Sequence, residues 1–527
     1  ARACRLDSLS VSFAGLLSTA MDDQERLVEG VPRNPTDYVE WALESAGGAG
    51  KFQILYLLAL GWCWGYGAML AYIGIFAGAA TQQQMADCTP FSWVGEASNL
   101  TSSCTLAEVN CSMPRSSWEF VKPEETYKAT FKMVCDRKGL APLAQTLFFF
   151  GVMFGVLVWG SLSDRFGRRF AFFMPLVFQQ LGVLGQSFAP NFYIFGAMRS
   201  LTGFGNAGFG LTSFIWSSEM LGRDLRSVMA WSPNVMWSLG QMLLSPVAYY
   251  NPEWRRLTLT VFAMGLPFFL YFPLLESPKW LAANGRLNDA HMVLSKIAKT
   301  NGRSRPAAPV DLKDEVGDDS SQAEEQSGGS CLDLLDPRLL HRFVIMCVGW
   351  FATAMGFFGL SLNAASLPLD PYTANVVSGL TCIPAYLLSG WLIEAPWCGR
   401  RGATAGGFLL GGAGLLLSAV FQGQEAALVF LYYFATCAVA LSFAVIYMYA
   451  SELFPTDVRA TSMGIQSLCA RVGAMAAPFV AALPGKRMPL LIFATPCMLG
   501  GILILFLPET RGKQLPGTID DLNAEAS

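Results

Sequence analysis

Apolar residues in this 527-residue chain gather into long runs, with the polar residues collected between them. A helix needs about 20 apolar residues to cross the hydrocarbon of a bilayer. On that measure the pattern predicts spans at about 54–80, 141–159, 170–189, 191–216, 228–249 and 257–275. Six more follow at about 343–362, 374–393, 403–420, 426–450, 463–483 and 488–507. Two long polar breaks interrupt the series. The division expected is a polar lead-in (1–53), a first half (54–275) holding a hydrophilic loop at 81–140, a linker (276–342), a second half (343–507) and a tail (508–527). Short amphipathic helices are expected near Asp37–Tyr38 and from Asn288 to Lys299. The acidic, Ser/Gly-rich stretch 303–330 lacks large apolar groups and is expected to be disordered. Residues 1–20 precede Met21, which reads as a native start, and their apolar part is too short to span. The fold class is therefore an all-α membrane protein of twelve transmembrane helices in two six-helix halves.

Composition agrees and narrows the chemistry. Only 14% of residues are charged, where soluble domains carry roughly 25%. The sole histidines, His291 and His341, leave no His-based metal or general-base site. No Walker sequence supplies an ATP-driven engine. No cofactor, metal or nucleic-acid partner is expected, and no enzyme activity; the partners are the bilayer and a small solute. Cys88, Cys104, Cys111 and Cys135 share the hydrophilic loop with two sequons, at Asn99 and Asn110. An oxidising, glycosylated, extracellular loop explains both features. The cysteine pairing stays open, because four cysteines allow three connectivities.

Charge sets the orientation. Clustered arginines occupy the short loops at 160–169, 219–227, 399–401 and 452–459, and positive loops stay cytoplasmic. Both termini and the linker are then cytoplasmic and the cysteine-bearing loop lies outside, which the cysteines required independently. The tight stretch Gly160 to Arg169 reads Gly-Ser-Leu-Ser-Asp-Arg-Phe-Gly-Arg-Arg. Gly160 is expected to let helices approach, Gly167 to adopt a conformation most residues avoid, and Asp164 to meet a helix N-terminus and an arginine together. The halves repeat: Glu219 to Arg226 has a counterpart in Glu452 to Arg459, Glu276-Ser277-Pro278 in Pro508-Glu509-Thr510, and Gly390 to Glu394 with Arg400 and Arg401 is a looser copy of the opening stretch. Asp164, Arg165, Arg168, Arg169, Glu219, Arg226, Glu394, Glu452 and Arg459 are expected to form a cytoplasmic latch between the halves, and Arg199 to be structural or gating.

The Gly-x-Leu-x-Asp-Arg-x-Gly-Arg-Arg stretch resembles the signature between helices 2 and 3 of the major facilitator superfamily, and Arg199-x-x-x-Gly203-x-Gly205 resembles its second signature. The large first loop, Val134-Cys135-Asp136, Trp254-Arg255 and the closing Leu507-Pro508-Glu509-Thr510 to Ile519 together resemble the organic cation/anion/carnitine transporter family, over about residues 37–522. The resemblance implies alternating-access transport of small organic ions across the plasma membrane. Gly359 to Asn363, Asp370-Pro371-Tyr372 and Pro384-Ala385-Tyr386 look most like its carnitine and zwitterion branch. Arg471 matches a position that is Arg in the anion and carnitine transporters and Asp in the cation transporters. Cys382 departs from the Glu that cation and carnitine transporters often carry, which puts a simple cation in doubt.

Arg471, Tyr386, Tyr447, Tyr449, Trp237, Gln241, Phe357 and Trp64 are expected to contact substrate, with Arg471 taking a carboxylate and the aromatics an apolar or ammonium-bearing body. Tyr66 and Trp216 share that aromatic reading. The expected function is transport of organic zwitterions or anions. An organic cation carrier is the alternative, and a transport-inactive receptor or scaffold a lesser one.

Overall fold

The computed structural model describes residue 32, residues 34–78, 91–93, 118–120, 124–133, 135–222, 225, 227–308 and 333–513. Within them the apolar runs fold as helices. α1 (Pro35–Ser45) precedes the first six long helices: α2 (Lys51–Ala77), α3 (Leu140–Phe166), α4 (Arg168–Ser187), α5 (Phe192–Met220), α6 (Ser232–Tyr250) and α7 (Trp254–Gly265). Two strands, β1 (Phe91–Trp93) and β2 (Trp118–Phe120), pair antiparallel in the first polar break. α8 (Pro278–Ala283) and α9 (Leu287–Asn301) lie in the linker. The second set is α10 (Pro337–Asn363), α11 (Pro371–Leu392), α12 (Gly399–Val420), α13 (Glu425–Leu453), α14 (Thr456–Ala481) and α15 (Arg487–Ile504).

Several boundaries differ from the apolar pattern for local reasons. α3 runs on through the polar motif to Phe166, because one helical turn of Ser, Asp and Arg can project beyond the apolar zone; only Gly167, at φ 92°, breaks it. Gly160 is thus inside a helix, and no second helix crowds it. α7 stops at Gly265 and continues as a 3-10 segment, Leu266–Tyr271, since Pro267 donates no hydrogen bond. α13 ends at Leu453 before the Phe454-Pro455 pair, so Glu452 and Arg459 lie on different helices rather than two turns apart on one.

Among the described residues, eight helices are long and apolar enough to cross a membrane by composition alone. α4, α5, α6 and α7 are not among them, because each is short or carries polar groups that neighbouring helices satisfy. Gln180 donates to the Tyr66 hydroxyl at 3.0 Å, and Thr212 donates to the Ala171 carbonyl at 2.9 Å. The first half packs as α3 and α4 against α5, with α2 against α6; the second as α12 against α13 and α15, with α10 against α14. Between the halves, α6 meets α11 and α3 meets α14.

Gly240 shows how close the α2–α6 packing is. A Cβ there would lie on the backbone of Gly65, whereas a Cβ on Gly210 would meet nothing within 4 Å. Overpacking against rigid backbone costs about 1–3 kcal/mol. We expect Gly240→Ala to lower the thermal unfolding midpoint of the purified protein, and Gly210→Ala to leave it unchanged or raise it.

The linker helices fasten onto the start of α2. At the end of α9, the Asn301 amide donates to the Ala46 and Gly47 carbonyls (2.9 and 3.0 Å), and its oxygen accepts from the Phe52 N–H at 2.9 Å. A second tie uses His291, which accepts from the Arg305 Nε–H at 3.1 Å through Nε2. Its proton therefore sits on Nδ1, 2.7 Å from the Tyr38 hydroxyl, which donates on to the Ala307 carbonyl at 3.0 Å. An imidazolium could not accept from Arg305. Burial first, then the Arg305 charge, hold the His291 pKa below its usual 6.5. Burial raises that of Tyr38 to about 12. A depressed histidine pKa means that the tie is intact above the unfolded value and is lost as pH falls through the folded one. Hydrogen-exchange protection of α1, relative to intrinsic exchange rates, should fall as the pH drops below the usual 6.5, and His291→Asn should remove that pH dependence.

Candidate functional site

Two polar centres mark one end of the helices, hereafter the arginine-rich face. Arg168 opens α4 with a side chain 9% exposed; it grips Glu219 at the end of α5 at 2.7 Å, Asp164 at 2.9 Å and the Ser163 carbonyl at 2.8 Å. The helix N-terminus that Asp164 was expected to meet is instead held by Glu276, whose carboxylate accepts from the Arg168 and Arg169 N–H groups at 3.0 and 3.1 Å. An acid there complements the exposed N–H groups and the helix dipole. Arg169 donates to the Phe272 carbonyl at 2.6 Å.

The second half repeats this arrangement residue for residue. Glu509 accepts from the Arg400 and Arg401 N–H groups at 2.9 and 3.0 Å, and Arg400 grips Glu452 at 3.1 Å and Glu394 at 3.2 Å. Each of these contacts lies within its own half. Arg459 turns to the Phe454 carbonyl at 3.2 Å, not to Glu452, and Arg165 lies over the Phe166 ring at 5.4 Å.

At the opposite end, hydrogen bonds join the halves. Thr146 on α3 donates to the Met475 carbonyl of α14 at 2.8 Å, and Tyr72 on α2 donates to Ser361 of α10 at 3.2 Å. Asn375 on α11 donates to the Gln241 carbonyl and to Ser245, at 2.7 and 2.9 Å. Phe76 stacks on Tyr372 with centroids 5.2 Å apart.

Between the two ends lies a wall of rings. Trp64 meets Trp237 at 6.5 Å, Trp237 meets Phe358 at 6.2 Å, and Phe358 meets Phe357 at 5.4 Å. Phe443 lies 4.9 Å from Phe357, and Tyr447 lies 5.9 Å from Phe443. Four of the expected contact residues, Trp64, Trp237, Phe357 and Tyr447, thus belong to one surface that spans both halves.

Arg471 follows Thr456, where α14 begins, by fifteen residues. That is about 22 Å of helix, deeper than the apolar pattern alone implied. Four residues before Met475, it shares the stripe that faces α3. Its Nε is buried without a hydrogen-bond partner, and its guanidinium makes no ion pair among the described residues. Arg199 is the contrast. Only 3% exposed, it donates to the Leu70 carbonyl at 3.1 Å and to Gln145 at 2.8 Å, and lies over the Phe148 ring at 4.9 Å. Its donors are spent on packing α5 against α2 and α3.

Other expected contact residues stand apart. Tyr449 is fully buried and donates to the Pro508 carbonyl at 2.7 Å, so it belongs to the arginine-rich face. Tyr386 is buried beside Ser238 and Cys382. Gln241 is committed to Asn375 between the halves. Trp216 donates to the Leu275 carbonyl and Tyr66 receives Gln180; both are packing residues of the first half. Arg226, Cys88, Cys104, Cys111, Asn99 and Asn110, and the side chain of Cys135, lie outside the described residues. The pattern missed Tyr72, Phe358 and Asn375, which resemble any other aromatic or polar residue of a span. The roles of Glu276, Glu509 and Arg400 had a visible signal, the repetition of their motifs in the two halves.

Two parallel six-helix halves with duplicated charge centres define a major facilitator transporter. The sugar (and other) transporter family matches residues 108–518. Among solved structures, the partially occluded inward open conformation of the xylose transporter XylE from E. coli superposes with a TM-score of 0.60 at 17% identity, covering 87% of this chain and 100% of that one. Human organic anion transporter 3 is 31% identical over 77% of this chain and 76% of its own length. Human organic cation/carnitine transporter 2 is 32% identical over 77% and 73%, and organic cation/carnitine transporter 4 of Arabidopsis thaliana 31% identical over 79% and 81%. The chain belongs to the organic anion, cation and carnitine transporters, solute carrier family 22. It is a multi-pass membrane transporter, not an enzyme.

Proposed function

We propose that the protein carries small organic anions and zwitterions across the plasma membrane, with its arginine-rich face and both termini cytoplasmic. The observation that carries this reading is Arg471: a guanidinium deep in a spanning helix, on the face between the halves, with a buried Nε that no group among the described residues satisfies. A charge at that depth costs about 2.5–3.5 kcal/mol on insertion scales, and a carboxylate offers the planar, bidentate partner it lacks. The aromatic wall from Trp64 to Tyr447 favours a second feature, an apolar or quaternary ammonium body held by cation–π attraction. Both together describe a carnitine-like zwitterion, and relatives named for anions and for cation/carnitine substrates support that range.

In this orientation the named contacts between the halves close the extracellular end. Transport then exchanges this closure for one at the cytoplasmic end, and the two duplicated centres act as hinges of their own halves as well as gating groups. Every described acidic residue of the spanning helices sits in a terminal turn, so facilitated or exchange transport is favoured over a carboxylate proton relay. Uptake of a matched carboxylate, its neutral amide and a quaternary ammonium zwitterion into proteoliposomes tests the reading. The two carboxylates should exceed the amide by tenfold or so. Equal uptake of all three, or preference for the amide, would sink it.

A further inference from the structure

We propose that Cys347 and Cys469 form a dithiol site for thiophilic ligands of the trivalent arsenic class. α10 and α14 run parallel and pack tightly where Gly473 faces the backbone of Phe351 and Met355. One helical turn back on each helix, from Phe351 to Cys347 and from Gly473 to Cys469, two thiols face each other. The two thiols influence one another electrostatically, and neither is in a disulfide.

The site is reachable. Cys347 and Cys469 are partly exposed, while Cys63, Cys382 and Cys497 are buried. Val344 and Val472, three residues away on the respective helices, are 50% and 49% exposed. On an apolar spanning surface that exposure faces lipid, so a membrane-permeant reagent has a path.

Two thiols facing each other across a close helix contact suit a single bridging atom. A disulfide demands a bond of about 2.05 Å and a restricted dihedral, whereas two thiolates flanking one soft atom are held further apart. Structural zinc takes four ligands, and no group of three or more His, Cys, Asp or Glu gathers for a metal among the described residues. A monosubstituted arsenic(III) needs only two protein sulfurs. The step balances: an organoarsenic oxide and two thiols give the cyclic dithioarsenite and one water, with no change in oxidation state. Cys469 is two residues from Arg471 and on a different face of α14, so the bridge would fix the rotation of the helix that carries that arginine.

The experiment is titration of the full-length protein in lipid nanodiscs with phenylarsine oxide, read by intact mass and by counting free thiols. Wild type should gain one phenylarsenic adduct at near-stoichiometric reagent and lose two thiols, reversed by 2,3-dimercaptopropanol but not by glutathione. Losing either thiol converts bivalent capture to monovalent capture, so Cys347→Ser and Cys469→Ser should each weaken the adduct by about a hundredfold. Size-exclusion profiles matching wild type would establish that both variants fold. Persistence of the tight adduct in either folded variant, its transfer to Cys382 and Cys437 on peptide mapping, or no adduct in wild type would overturn the proposal.

Discussion

Arg471→Ala should reduce uptake of small carboxylates to near background while the protein still reaches the membrane. Among the described residues the guanidinium makes no ion pair, so its removal strands no described acid and the fold should tolerate it. What is lost is a charge-assisted contact to substrate. Truncating one member of a buried, hydrogen-bonded charge pair costs about 2–5 kcal/mol, which is about 30-fold to several thousandfold in affinity. Arg471→Lys keeps the positive charge but loses the planar fork, so carboxylate preference should survive with weaker binding. Arg471→Asp should lose the carboxylate and raise relative uptake of a quaternary ammonium. Initial uptake rates of the carboxylate, its amide and the ammonium in all four forms, normalised to surface protein, make the comparison. An unchanged ranking in Arg471→Asp would make Arg471 structural and remove the anion and zwitterion assignment with it.

Glu219→Gln should slow transport and lower folded yield far more than Asp164→Asn, although Asp164 is the acid of the recognisable motif. Both bond Arg168, but the Asp164 side chain is 76% exposed and that of Glu219 only 15%. Exposed ion pairs contribute about 0–1 kcal/mol, while breaking a buried pair costs about 3–5 kcal/mol because a charge is left unmatched. Glu219 also engages Arg168 through both oxygens, at 2.9 and 2.7 Å. The duplicated centre gives an internal control: Glu452→Gln, with its side chain 19% exposed, should behave like Glu219→Gln, and Glu394→Gln, 65% exposed, like Asp164→Asn. Thermal midpoints and uptake rates of the four variants check the ordering. A larger loss in Asp164→Asn than in Glu219→Gln would show that the motif acid works through contacts between the halves, in the state closed at the other end.

The sequence by itself determined the twelve helices, their division into two sixes and the unusual backbone conformation of Gly167, though not that the helix before it runs on to Phe166. These depend on apolar content and backbone freedom summed over neighbouring residues, and such local quantities survive without knowledge of the fold. It also held the duplication of motifs, though not what the copies do. That Glu276 rather than Asp164 caps α4, at a separation of 108 residues, was decided by which chain ends the helix packing brings together. The same holds for Arg400, whose partner Glu452 is 52 residues away while Arg459 turns elsewhere. Arg199 and Arg471 show the division most clearly. In sequence both are isolated arginines deep in apolar runs, and only the resemblance to known families assigned Arg199 a structural or gating role and Arg471 a carboxylate-binding one. Packing separates them: Arg199 finds the Leu70 carbonyl 129 residues away and Gln145, while Arg471 faces the seam between the halves and keeps its buried Nε unmatched among the described residues. A hydrogen-bond inventory is a property of neighbours in space, and only the tertiary structure supplies those neighbours.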